Sequence, residues 1–169
     1  MSEEIKVEFR EAQPVIETAT ESHLWAIPVA LAKGFAKVGA EIDEAGAARV
    51  DMPYARYLEI NWATLNGSPL RQILDLLFKK QKMMIGLRLA EGKGSNGESF
   101  GSVIPDGQYV TTIHRGAYHK VGDTYAKIVD WAARHNIELQ DNSIEHYIDD
   151  PTEVPKHEVR TEVMVPVAK

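Results

Sequence analysis

The chain has 169 residues, 44% of them hydrophobic and 26% charged, and this balance is typical of a folded globular protein. The sequence contains no cysteine, which excludes disulfide bonds and thiolate zinc sites and fits a cytoplasmic protein. No apolar run approaches the roughly 18 residues of a membrane span, and a net charge of −6 without a basic cluster disfavours direct binding of nucleic acid.

The first half of the chain is predicted to contain three strands and two helices. Alternating apolar and polar residues predict strands at 5–20, 54–62 and 83–89. Between the first two strands, apolar residues at helical spacing around Phe35 predict a helix that opens at Pro28. Gly34 lies on the apolar face of this helix, which indicates close approach to a sheet. A turn at Ser68 then leads to a second amphipathic helix, predicted over 69–80.

The second half repeats this order without the additional helix. A glycine-rich loop at 91–98 separates the halves, and its glycines match no phosphate-binding signature. Strands are predicted at 108–114, 144–149 and 158–167, with a helix over 120–135 after the first of them. Each half therefore follows the order strand, helix, strand, strand.

An internal repeat relates the two halves. When the sequence is shifted by 90 residues, positions 35–57 align without a gap on positions 125–147. The matched pairs include Tyr57/Tyr147, Phe35/Tyr125 and Gly46/Asn136. The last of these pairs consists of the two residue types best suited to closing a helix in the left-handed conformation.

The repeat predicts an α+β fold built from tandem duplicated βαββ units that are related by a pseudo-twofold axis. We expect antiparallel sheets with the helices packed on them, and a central cleft between the halves as a usual place for a ligand. The prediction treats 1–169 as a single domain, with halves at about 5–91 and 100–167 and helix 69–80 inserted in the first.

One mismatch in the repeat singles out an acidic residue. Glu145 falls on Ala55, so only the second half carries the carboxylate. In the predicted strand, alternation places Ile144 and His146 toward the core and Glu145 and Tyr147 away from it. A solvated glutamate on an edge strand and a functional site both fit this pattern.

A carboxylate among aromatic rings suits two kinds of chemistry. An ionised Glu145 would attract a cation, and aromatic faces would add about 0.5 to 2 kcal/mol of cation–π attraction. A partly desolvated Glu145 would have a raised pKa and could act as a general acid or base. Both remain open at this point, with Tyr147 as the neighbouring catalytic candidate.

Further aromatic residues complete the set of ligand-binding candidates, which are Tyr57, Trp62, Tyr109 and Tyr118. Tyr109 and Tyr118 could line a pocket or only pack, whereas Trp131 is expected in the core. The six histidines lack the spacing of a metal site, and no cofactor signature appears. We therefore predict neither a metal nor a cofactor.

Four runs in the second half carry a family resemblance. They are IPDGQYV at 104–110, HRGAY at 114–118, IEHYIDDP at 144–151 and RTEVMVPV at 160–167. In this order and spacing, with Tyr125 and Trp131 on the helix, the chain resembles the GyrI-like (gyrase-inhibitor-like) small-molecule-binding family. That family includes the effector-binding domains of AraC- and MerR-type multidrug regulators. In the first half the resemblance depends mainly on PYARY at 53–57.

The resemblance implies a central cleft lined by aromatic residues, with a glutamate that meets cationic, lipophilic ligands. Glu145 matches that glutamate, and Tyr57 and Tyr147 match aromatic positions around the cleft. The chain departs from the family pattern because it lacks a helix-turn-helix segment for reading DNA and because helix 69–80 is additional. We therefore expect a stand-alone member of the family.

Three functions are open on these grounds. The first is a binding protein for small hydrophobic, often cationic ligands. The second is a hydrolase of cyclopropane-bearing DNA-alkylating toxins, an activity that the resemblance implies because some free-standing members of the GyrI-like family have it. In that case Glu145 would be the acid or base, and Tyr147 or Tyr57 would position substrate or water. The third is an interaction with gyrase or with a regulator, which no residue specifically supports.

Overall fold

The computed structural model describes residues 4–63, 79–94 and 101–168. In chain order, its helices and strands are β1 (Lys6–Arg10), β2 (Gln13–His23), α1 (Ile27–Ala45), β3 (Arg49–Tyr57), β4 (Lys80–Leu89), β5 (Ser102–Ile104), β6 (Gly107–Arg115), α2 (Val121–Arg134), β7 (Ser143–Tyr147) and β8 (Arg160–Pro166). The strands form one sheet in the order β1-β6-β8-β7-β3-β4-β2-β5, and every neighbouring pair is antiparallel. Neither described helix has the length and apolarity needed to cross a bilayer.

The sheet joins two βαββ units, β2-α1-β3-β4 and β6-α2-β7-β8, through the pairing of β3 with β7. In that pairing Ala55 lies directly opposite Glu145. These two positions differ by 90 residues, so each is the equivalent of the other in the repeat. The pseudo-twofold axis therefore passes between Ala55 and Glu145, and the predicted α+β fold of duplicated βαββ units is confirmed.

Each of the two edge strands pairs with the unit that lies further from it in sequence. Strand β1 pairs with β6 of the second unit, and β5 pairs with β2 of the first. The single strand predicted over 5–20 is therefore wrong: it is two strands, separated at residues 11–12, with different partners. The two strands are separated by only two residues and pair with distant parts of the sheet, which the local sequence pattern does not contain.

Two other predicted boundaries also differ from the structure. The strand predicted over 54–62 is β3, which ends at Tyr57. The helix predicted over 69–80 falls mainly on residues 64–78, which lie outside the described part of the chain. At its end, Lys80 is the first residue of β4 and not the last of a helix.

Both helices pack on one face of the sheet. A methyl group at Gly34 would lie 2.7 Å from Cγ2 of Ile85, so α1 approaches β4 more closely than any side chain at that position would allow. This confirms the close approach predicted for Gly34. The helix ends also match the repeat, because Gly46 after α1 has φ of 60° and Asn136 after α2 has φ of 55°.

The opposite face of the sheet closes on itself. One buried cluster on that face draws on six strands, and its members are Val15, Tyr54, Ile104, Tyr109, Ile144 and Met164. Strands β6 and β5 are far apart in the sheet order but share this cluster, so the sheet is strongly curled. Gly86 makes room inside the curl, because a side chain there would overlap the phenol of Tyr54, which reaches Glu17 at 2.7 Å. Both faces of the central strands are therefore buried.

Candidate functional site

Glu145 lies at the centre of β7, on the face of the sheet that carries the helices. All five residues of β7 are buried, and Glu145 is 5% exposed. The prediction that Glu145 and Tyr147 point away from the core is therefore wrong. Strand β7 is an inner strand between β3 and β8, and the helices cover the face that alternation alone would assign to solvent.

Phenol hydroxyls surround the buried carboxylate. The Tyr125 hydroxyl donates to Oε1 of Glu145 at 2.8 Å, and the Tyr147 hydroxyl donates to Oε2 at 3.1 Å. The hydroxyl of Ser143 lies 2.8 Å from the Tyr125 oxygen, and that of Tyr57 lies 3.2 Å from the Tyr147 oxygen. Because Tyr125 gives its hydrogen to the carboxylate, Ser143 extends the network as a donor to Tyr125. The Tyr57 hydroxyl also hydrogen-bonds to Glu145 and favours its ionised form.

Burial dominates the ionisation of this group. Removal from water raises the pKa of Glu145 to about 6, although hydrogen bonding by the phenols, led by Tyr125, favours the ionised form. Burial and the neighbouring carboxylate raise the pKa of Tyr57, Tyr125 and Tyr147 well above the ordinary value of a phenol. The tyrosines are thus neutral donors near neutral pH, where the carboxylate is close to its own midpoint.

An aromatic cluster encloses this network, and its members are Phe35, Tyr57, Trp62, Tyr118, Tyr125 and Tyr147. The Tyr147 ring contacts the ring of Phe35 at 6.1 Å and that of Tyr118 at 5.4 Å, both edge to face. Trp62 lies 5.8 Å from the Tyr125 ring and donates from Nε1 to the carbonyl oxygen of Gln140 at 3.0 Å. Four predicted ligand-binding aromatics, which are Tyr57, Trp62, Tyr118 and Tyr147, thus lie together around Glu145.

Two members of the cluster, Phe35 and Tyr125, are missing from the residues predicted for the site. Each was interpreted as part of the apolar face of its helix, and each does pack against a core cluster. The signal that could have found them is the repeat, because Phe35 and Tyr125 are a matched pair at the start of the alignment that also contains the Ala55/Glu145 pair.

Tyr109 lies elsewhere. It belongs to the cluster inside the curled sheet, and its hydroxyl donates to the carbonyl oxygen of Pro105 at 2.7 Å. Next to it, on the face opposite Glu145, opens a groove of about 1370 Å³ whose floor includes Ile104 and Ile144. Although this groove is large, the acidic residues that line it are exposed, and its one arginine is already bound by Glu17. The buried polar groups on that side, Glu17, Tyr54 and Arg56, are already paired with one another, whereas the described partners of the Glu145 carboxylate are phenols.

The histidines serve other purposes. Both ring nitrogens of buried His114 have partners, the Thr124 hydroxyl at 2.8 Å and the Ala117 carbonyl oxygen at 3.3 Å. His146 lies 2.9 Å from Glu162, on the face opposite Glu145. Trp131, expected in the core, is partly buried against the cluster that includes Val110 and Ile128, and its ring stacks on His135 at 4.0 Å. Within the described ranges, no group of three acidic, histidine or cysteine side chains could hold a metal ion.

Solved structures with the same fold are known. The EcmrR C-terminal domain has a TM-score of 0.74 at 18% identity, over 98% of both chains. EcmrR in its complex with DNA has a TM-score of 0.72 at 18% identity, over 98% of this chain, which spans 57% of that chain. SAV2435 bound to tetraphenylphosphonium has a TM-score of 0.61 at 15% identity, over 98% of this chain and 94% of that one. A hydrolase from Listeria innocua has a TM-score of 0.57 at 11% identity, over 97% and 91%.

At these identities the likeness to solved structures shows the fold alone. No curated protein matches the chain in sequence. The sequence profile of the GyrI-like small molecule binding domain matches residues 79–168, which is more than half of the chain and includes β4 and the whole second unit. The chain therefore belongs to the GyrI-like small molecule binding domain family.

Proposed function

We propose that the protein binds hydrophobic cations between its two helices, with Glu145 as the counter-ion. One observation carries this proposal: the described groups that contact the buried carboxylate are phenols, and no lysine or arginine among them neutralises it. A buried charge without an oppositely charged partner is costly, so a positively charged group placed beside this carboxylate would stabilise its ionised form. A cationic ligand would supply it.

The surroundings favour a ligand that is apolar as well as charged. The rings of the aromatic cluster offer faces for cation–π contacts, each contributing about 0.5 to 2 kcal/mol. They also offer a large apolar surface, whose burial contributes roughly 25 cal/mol per Å². A small hydrated cation would gain little from these rings, whereas a lipophilic cation would gain from both.

Access to Glu145 requires movement of a side chain, because the carboxylate is almost fully enclosed. Three half-buried members of the cluster contact Tyr147, and they are Phe35, Tyr57 and Tyr118. Burial raises the pKa of Tyr118, and the negative charge of nearby Asp150 adds to the rise. A cation approaching Tyr118 would therefore meet negative potential before it reaches Glu145.

Titration of the protein with tetraphenylphosphonium by isothermal calorimetry tests this function. We expect binding at about pH 8, where Glu145 is ionised, and a loss of about tenfold or more in affinity in Glu145→Gln. Glu44→Gln serves as the matched control, because Glu44 is exposed at the end of α1 and its loss should leave the affinity unchanged. Equal affinities in the natural protein and in Glu145→Gln would refute the proposal.

A second function, hydrolysis of a strained ring, is favoured by the pKa of Glu145. At about 6 it lies close to neutral pH, as a general acid or base requires, and the Tyr147 hydroxyl lies 3.1 Å away to position water or substrate. In this reaction Glu145 takes a proton from water while the water oxygen attacks a cyclopropane carbon. The broken carbon–carbon bond leaves its electron pair to a conjugated carbonyl, which is then protonated.

Incubation with a cyclopropane-bearing alkylating agent separates the two functions. A ring-opened product that accumulates beyond one equivalent and disappears in Glu145→Gln supports the hydrolase. Stoichiometric binding without product supports the binding protein and excludes hydrolysis of that agent.

A further inference from the structure

The pseudo-twofold axis relates two sets of residues of different chemistry around Glu145. In the second unit, Glu145, Tyr125 and Ser143 form one connected set of polar groups, with oxygens 2.8 Å apart at each contact. The 90-residue repeat carries these three positions onto Ala55, Phe35 and Pro53, respectively. The matching positions in the first unit thus hold a methyl group, a phenyl ring and a proline.

The three differences belong together. Tyr125 has the hydroxyl that holds the carboxylate, and Ser143 has the hydroxyl that holds Tyr125, whereas the first unit has neither the acid nor these two supports. Tyr57 and Tyr147, by contrast, are related by the same shift and keep their phenols, which meet near the axis at 3.2 Å. The axis therefore retains its aromatic pair while one side is polar and the other apolar.

We propose that this asymmetry selects ligands with a positive charge at one end only. The cationic end lies against Glu145, and the uncharged remainder lies against apolar side chains of the first unit. Of these, Ala55 lies opposite Glu145 in the sheet and Phe35 contacts Tyr147. This inference depends on the proposed function, because it specifies the class of cation that the same site accepts. A dication of similar length would place its second charge against apolar side chains, where no carboxylate compensates the loss of hydration.

Two matched probes test this selectivity on the natural protein. Decyltrimethylammonium and decamethonium share a ten-carbon chain, and they carry one and two trimethylammonium groups. By calorimetry at about pH 8, we expect the monocation to bind about tenfold or more tightly than the dication. We expect Glu145→Gln to remove most of the affinity for the monocation.

The possible outcomes separate this inference from the proposed function. Equal affinities for the two probes, with Glu145 still required, would overturn the one-ended selectivity and leave the cation site intact. Binding of tetraphenylphosphonium but of neither chain probe would also overturn it. If tetraphenylphosphonium does not bind either, the proposed function fails and the inference with it.

Moving the acid across the axis gives an independent test. Glu145→Ala should lose binding of decyltrimethylammonium, and the triple variant Phe35→Tyr, Ala55→Glu, Glu145→Ala should recover it, because the symmetric position then holds an acid and its phenol donor. Circular dichroism shows whether the triple variant is folded. A folded variant that does not bind would contradict the equivalence of the two halves, and if it does not fold, the comparison of the two probes decides.

Discussion

Replacing Glu145 by glutamine should stabilise the protein relative to the natural chain, and this stabilisation should be larger at high pH than at low pH. The folded-state pKa of Glu145 is about 6 because of burial, against 4.5 for an unperturbed glutamate. A raised folded pKa means that the folded state binds the proton more tightly, so stability from this group is present below pH 4.5 and is lost as pH rises through 6. The difference of about 1.5 in pKa corresponds to about 2 kcal/mol of unfolding free energy. Glutamine does not ionise, so the variant escapes this loss.

Urea unfolding of both proteins at about pH 4.5 and pH 8 measures the effect. We expect the free energy of unfolding of Glu145→Gln, minus that of the natural protein, to increase by about 1.6 kcal/mol between these pH values. The change is below the full value of about 2 kcal/mol because half of the unfolded glutamate is already ionised at pH 4.5. Other titrating groups are common to both proteins and cancel in the difference. Glu44→Gln, at an exposed position, should show a constant difference. A constant difference for Glu145→Gln as well would refute the assignment of a buried, destabilised carboxylate.

Three further changes test the surroundings of the site and the fold. Tyr147→Phe removes one hydrogen bond to the carboxylate and should raise the pKa of Glu145, so the pH midpoint of ligand binding should move upward in calorimetric titrations. Gly34→Ala places a methyl group 2.7 Å from Ile85 and should lower the free energy of unfolding by about 1 to 3 kcal/mol in urea. Burial lowers the pKa of His114, so the folded state binds its proton less tightly and stability should fall as pH drops below about 6.5. His114→Gln should reduce that part of the pH dependence.

The duplicated architecture could be predicted because the repeat lies in positions that determine the backbone. Gly46 and Asn136 end their helices in the left-handed conformation, and the register of β3 against β7 places the matched strands about the axis. The helix ends are local properties of the residues, and a gapless shift reveals them without knowledge of the fold, whereas the register of β3 against β7 comes from the structure. The family resemblance was concentrated in the second half, where the family profile also matches.

The strand pattern alone does not contain the burial of the site, because that burial depends on partners that are distant in sequence. Alternation in the strand placed Glu145 away from the core and left a solvated position and a functional site open. In the structure, α2 and its Tyr125 cover that face. The split between β1 and β2 was hidden for the same reason, since the two strands pair with opposite ends of the sheet. Tyr109 was predicted as a ligand-binding residue, but it lies on the other face of the sheet, which its local sequence does not reveal.

The cost of Glu145 is itself an argument for its role. An apolar residue at this position, as Ala55 is in the first unit, would avoid the loss of about 2 kcal/mol that ionisation imposes near pH 8. Natural proteins tolerate such losses mainly where activity requires them. The chain keeps the charge in one unit only, together with the two hydroxyls that hold it, and places apolar groups at the three matching positions of the other. A purely structural carboxylate would not need this asymmetry, whereas a site for a ligand with one charged end does.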